Sequence, residues 1–169
     1  SCYIGIGNSF YVRGSYGEAL TNYFKAISIV ETAGGELKKN NSLLAVKSKA
    51  LSNIGLVYWN QGDYPRALDH CLRALKIDEG LGRKAGIASN LGNIGNIYWS
   101  QRNFERALNY FFKALKMDEE LDNPGGVARH LGSIGNVYKD QASAKDLREI
   151  NFVHRDSLYR KALLYYSGA

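Results

Sequence analysis

LGNIGNIYWSQRNFERALNYFFKAL, Leu91 to Leu115, decides the reading of the fold, because its text recurs on both sides of it. Forty residues earlier stands LSNIGLVYW (Leu51 to Trp59), and forty residues later LGSIGNVYK (Leu131 to Lys139). The second half recurs too: RALDHCLRALKIDE from Arg66 aligns with RALNYFFKALKMDE from Arg106. A fixed period of this size marks an array of units that bury their apolar faces against one another, so no single core is expected.

Within the central unit the apolar residues Ile87, Leu91, Ile94 and Tyr98 are spaced four, three and four, which places them on one helical stripe. Gln101, Arg102 and Asn103 break the pattern, and a second helix follows with Phe104, Ala107, Leu108, Phe111, Ala114 and Leu115. Each unit is therefore a helix-turn-helix. Gly95 sits in the middle of the first helix, with Gly55 and Gly135 in the matching places, although a glycine there costs about 1 kcal/mol relative to alanine. Its recurrence points to close approach of the second helix, with Ala107 as the expected opposing residue and Tyr98 and Phe111 above and below.

Leu91, Ile94, Gly95, Tyr98, Ala107, Phe111 and Ala114 reproduce the spacing of the tetratricopeptide repeat, with Leu91 where a tryptophan usually stands. Leu51, Ile54, Gly55, Tyr58, Ala67, Cys71 and Ala74 do so in the second unit, and Tyr3, Ile6, Gly7, Phe10, Ala19, Tyr23 and Ala26 in the first. The period of forty resembles the longer-repeat branch of that family, seen in kinesin light chains and bacterial signalling proteins, and the added residues are expected to lengthen both helices and their connection. The fold class expected is thus all-α, an α-solenoid winding as a right-handed superhelix with an irregular C-terminal unit. Four repeats are expected over residues 1–33, 42–80, 83–121 and 124–169, the first truncated at its N-terminus. Eight residues added within Ala33 to Ser42 separate the first two, with Gly34 and Gly35 stopping one helix and Asn41 or Ser42 capping the next. Pro124 is placed to open a helix. In the fourth unit the second helix fits best at Leu158 to Tyr166, which leaves either an insertion around residues 140–157 or one long irregular helix.

Composition narrows the function classes. The chain has 169 residues, 45% hydrophobic and 22% charged, with a formal net charge of +6. Arg66, Arg73, Lys76, Arg106, Lys113 and Lys116 recur in the second helices with the spacing of a solvated outer face, so nucleic-acid binding is not expected. Cys2 and Cys71 make no disulfide framework, and no apolar run is long enough for a membrane. Ser1 opens inside an already periodic segment, as in a piece cut from a longer, cytoplasmic protein. His70 and Cys71 point in different directions, Cys71 filling the core position of Phe111, while His130 and His154 have no partner at ligand spacing. GIG at Gly5 to Gly7 lies in a helix rather than after a strand, so it is no phosphate loop. No catalytic residues, metal site or cofactor are expected.

The resemblance implies that the first helices line a concave face on which extended or helical partner segments lie. Opposite the apolar stripe stand Ser89, Asn93, Asn96 and Ser100; their counterparts are Lys49, Asn53, Leu56 and Asn60, then Arg129, Ser133, Asn136 and Asp140, with Gly5, Asn8 and Val12 from the first unit. Asn8, Asn53, Asn93, Asn96 and Asn136 would form a ladder of amides suited to a peptide backbone, since each offers a donor and an acceptor. The alternative is that they bond to one another or to water. Trp59 and Trp99, one residue from the ladder, are either binding anchors or packing between first helices. A chaperone-tail clamp is not expected, because its basic places fall on Ile4, Ser89 and Asn93. The expected function is a non-catalytic protein-interaction module, part of a bacterial signalling or regulatory protein; the alternative is a scaffold self-associating through exposed repeat ends.

Overall fold

The computed structural model describes residues 2–32 and 40–144, together with the single positions 160 and 164. Seven helices follow one another among the described residues: α1 (Cys2–Val12), α2 (Tyr16–Thr32), α3 (Asn41–Asn60), α4 (Tyr64–Gly80), α5 (Lys84–Ser100), α6 (Phe104–Glu120) and α7 (Pro124–Ala144). They belong to two compact units, residues 1–93 and 94–169.

The forty-residue period has a simple composition: two helices of 17 residues, such as α5 and α6, and two turns of three. Nearly all of the period is thus helix, and the connections are short. Each three-residue turn closes its helix with the same bonds. In the 61–63 turn, Gly62 N–H reaches Trp59 O and Asp63 N–H reaches Tyr58 O; in the 101–103 turn, Arg102 and Asn103 repeat this with Trp99 and Tyr98. This closure needs a left-handed residue in the middle of the turn. Gly62 and Gly82 supply it at φ 76° and 63°, but Arg102 and Asp122 adopt it at 57° and 49°.

In the 61–63 and 101–103 turns the last residue caps the next helix. Asp63 Oδ1 accepts from Arg66 N–H at 3.1 Å, and Asn103 Oδ1 from Arg106 N–H at 3.2 Å. Pro124 opens α7 as expected, whereas α3 is capped by Asn40 rather than Asn41 or Ser42, its Oδ1 accepting from Ser42 and Leu43. The expected stop at Gly34 and Gly35 lies outside the described residues, as does the fourth unit beyond Ala144, including most of the insertion expected around 140–157 and the helix at 158–166.

In the first unit α2 packs on α1 and α3, and α4 on α3. Ala19, Tyr23, Leu51, Ile54, Val57, Ala67 and Cys71 are all at most 1% exposed. In the second unit, Ala107, Phe111 and Leu115 of α6 pack on Ile134 and Val137 of α7. The helical glycines mark the tightest contacts, with one correction to the expected partner. A Cβ on Gly95 would lie 2.7 Å from the Phe111 ring, on Gly7 2.5 Å from the Tyr23 ring, and on Gly55 2.5 Å from Cys71 Sγ. The opposing group is thus the residue sixteen positions on; the alanine matters only at Gly55, where Ala67 O would be 3.2 Å away. The lack of a side chain at Gly7 and Gly95 makes room for an aromatic edge, which contributes far more buried area than alanine would.

Candidate protein-interaction face

The polar stripe of the first helices is open to varying degrees, and none of the expected site residues is buried. Asn8, Lys49, Asn60, Ser89 and Arg129 are exposed; Asn53, Asn93, Asn96, Asn136, Trp59 and Trp99 are half-buried. In the first unit the amides are bonded to one another. Asn8 Oδ1 accepts from Tyr23 Oη at 2.9 Å and from Asn53 Nδ2 at 2.8 Å. Burial pushes the Tyr23 phenol up to about 12, so it remains a donor across the physiological range. Asn60 Nδ2 donates to Tyr11 Oη at 2.6 Å and to Leu56 O at 2.9 Å, and Asn93 Nδ2 donates to Ser52 Oγ at 3.1 Å.

These bonds use half of each amide and leave the other half. Asn8 keeps its Nδ2 donor; Asn53, Asn60 and Asn93 keep Oδ1 acceptors. The side chains are thereby held in one rotamer with the unused atoms available, which lowers the entropy lost when a ligand is bound. In the second unit Trp99 packs against the α6–α7 core and donates through Nε1 to Asp140 Oδ2 at 2.9 Å.

Beneath the stripe of the first unit lies a cavity of about 290 Å³, bordered by Ser48, Lys49, Ser52, Asn53, Arg83, Ser89 and Asn90. At its floor is Asp78, a residue that sequence reading passed over. Its side chain is 3% exposed and accepts from Ser48 Oγ (2.7 Å), Asn90 Nδ2 (2.9 Å) and Arg83 Nη1 (2.8 Å). Forty residues on, Asp118 is buried in the same place, bonded by Asn123 Nδ2 at 2.8 Å, with His130 Nε2 at 3.0 Å and Arg129 Nη2 at 3.8 Å. Burial, reinforced by the Arg129 cation and opposed by Asp118, holds the His130 imidazole below its ordinary pKa. His130 thus has an acidic neighbour that the sequence spacing did not indicate, while His154 lies outside the described residues. The signal was present: Asp78 and Asp118 recur at the period, and so do Gly86 and Gly126, where a Cβ would run into the aspartate carboxylates.

Cys71 is fully buried, with its thiol pushed up to about 12 by burial, and His70 stacks on Tyr58 with ring centroids 5.5 Å apart. The six recurrent basic residues of α4 and α6 are all exposed. Among the described residues, no three His, Cys, Asp or Glu side chains group as a metal site, and no helix is long and apolar enough to cross a membrane.

Residues 47–120 match the family model of the tetratricopeptide repeat. No curated protein sequence matches the chain. Among solved structures, the apo form of RapI superposes with a TM-score of 0.75 at 15% identity over 98% of this chain and 54% of that one. Aspartyl phosphate phosphatase F from Bacillus subtilis gives 0.77 at 16% identity over 98% and 39%, and BtubC (BKLC) from P. vanneervenii 0.69 at 22% over 96% and 60%. The chain spans between 39% and 60% of the length of these three structures, and likeness at such identities shows the fold. Residues 47–120, with their two-helix units and a glycine at each helix crossing, are thus a tetratricopeptide repeat segment, and the likeness to solved structures extends that fold over the chain.

Proposed function

We propose that the chain is a protein-interaction module that takes an extended peptide segment along the polar stripe of its first helices. The observation that carries this reading is the half-used amide set: Asn8, Asn53, Asn60 and Asn93 are fixed by internal bonds yet retain one donor and three acceptors. Such groups match the alternating N–H and C=O of a peptide backbone and hold it with little demand on sequence. Lys49 and Ser89 extend the same stripe. The parent protein, in this reading, is a bacterial signalling or regulatory protein, and the module itself performs no chemistry.

The test is a peptide selected from a displayed random library against the wild-type chain, measured by fluorescence anisotropy. Asn53→Arg and Ser89→Arg, which fill the stripe without touching the core, are expected to abolish binding while far-UV circular dichroism stays unchanged. Full binding by both variants would remove the stripe from the interaction. A second reading, self-association, is favoured by the exposure of Tyr3 and Ile6 on α1, at 38% and 40%. Light scattering that shows a monomer at every concentration up to about millimolar would end it.

A further inference from the structure

The cavity floored by Asp78 has a charge arrangement that selects its occupant. Its only carboxylate, Asp78, is shut beneath the surface and already takes two neutral donors and the Arg83 guanidinium. What remains accessible at the rim is cationic or neutral. Lys49 is exposed and makes no ion pair or hydrogen bond among the described residues, and the Arg83 side chain is 41% exposed with both of its bonds made through Nη1. The other rim groups are small and polar, among them the exposed Ser89.

A second hollow of about 340 Å³ adjoins the first and shares Lys49 and Arg83 as its wall; its other lining includes Ile4, Gly5, Ala45 and Val46. The two cations thus stand between a polar recess and a mainly apolar one. A guanidinium keeps several donors in a rigid fork, and an ammonium beside it adds an uncompensated charge. Together they suit a carboxylate, because a charge-assisted hydrogen bond is about twice as strong as a neutral one. The compensation of Asp78 inside the fold matters here: without Ser48, Asn90 and Arg83 on it, its charge would repel such a ligand.

We infer that the two hollows read a short sequence feature, an Asp or Glu whose carboxylate sits on Lys49 and Arg83, next to an apolar residue seated against Ile4, Ala45 and Val46. This rests on the groove reading above and adds to it a preference for acidic segments. These basic positions are not those of the chaperone-tail clamp, which fall on Ile4, Ser89 and Asn93. Arg83 lies in the turn before α5, where a stripe read from helical spacing cannot include it.

The experiment uses peptides of about twelve residues panned from a random library against the wild-type chain, then synthesised. An Asp or Glu is expected at one fixed position beside an apolar residue, and changing it to Asn or Gln should weaken binding about tenfold. Lys49→Glu should cause a loss of similar size, with no further loss when both changes are combined, the mark of direct contact. Lys49 is chosen because it holds nothing in the fold; Arg83→Gln would also disturb Asp78. Selected peptides without an acidic position, or unaffected by Lys49→Glu yet blocked by Ser89→Arg, overturn the carboxylate seat and leave the groove standing. Binding untouched by Ser89→Arg and Asn53→Arg, or no peptide selected at all, overturns both.

Discussion

Asp78 and Asp118 stand forty residues apart, each buried near the end of a second helix and each facing a glycine of the next first helix, yet their surroundings differ. Around Asp78 the buried donors are neutral and cannot titrate: a serine hydroxyl and an asparagine amide, with Arg83 as the one cation. Around Asp118 the place of Asn90 is taken by His130, with Asn123 bonded at 2.8 Å. The backbone period is thus conserved more strictly than the chemistry laid on it. One junction is built on neutral donors and an arginine, while the other contains an imidazole that burial holds below its ordinary pKa.

The largest expected difference comes from deleting the aspartates. Asp78→Ala strands two buried donors and the Arg83 fork, and should cost about 3 kcal/mol in chemical denaturation. Asp118→Ala strands one amide beside an imidazole that is already neutral, and should cost about 1–2 kcal/mol at pH 7.5. Equal losses would break the comparison.

Acid dependence sharpens it. Since the folded state holds His130 below its ordinary pKa, the unfolded chain binds more protons in that window, and stability falls as pH drops below about 6.5. His70, also held low by burial, adds to the same slope. His130→Asn, which copies Asn90, should flatten the loss of midpoint between pH 7 and pH 5, leaving the share due to His70. An unchanged slope would show that the two junctions titrate alike. Ser48→Ala, which removes one of the neutral donors to Asp78, should cost about 1 kcal/mol.

The smallest effects lie in the turns. Arg102 holds the left-handed conformation that Gly62 adopts without cost, so Arg102→Gly should stabilise the chain by about 1 kcal/mol, and Gly62→Ala should destabilise it by a similar amount. Thermal melts of the two variants moving in opposite directions would check this.

The array was legible because its signal is periodic. Leu91, Ile94, Gly95 and Phe111 recur at fixed distances, and a helix that must bury one face cannot hide that spacing. The partner of Gly95 was less legible, since spacing alone does not say whether an alanine or an aromatic edge fills the gap. The junction aspartates were passed over for a physical reason: charged residues are read as surface, and only their pairing with Gly86 and Gly126 shows that these carboxylates turn inward. Of the polar stripe, the exposed or half-buried setting followed from periodicity, but the bonds of Asn8 to Asn53 and Tyr23 did not, because they join different helices. Arg83 escaped for lack of any helical register.

The most direct measurement of the central claim is an amide chemical-shift map of the labelled chain with a selected acidic peptide. Shifts concentrated on Lys49, Asn53, Arg83 and Ser89, with Phe24, Leu72 and Arg73 of the second helices unmoved, are the predicted result. Shifts confined to those second-helix residues, with Lys49 and Ser89 unmoved, would contradict the assignment of the first-helix face.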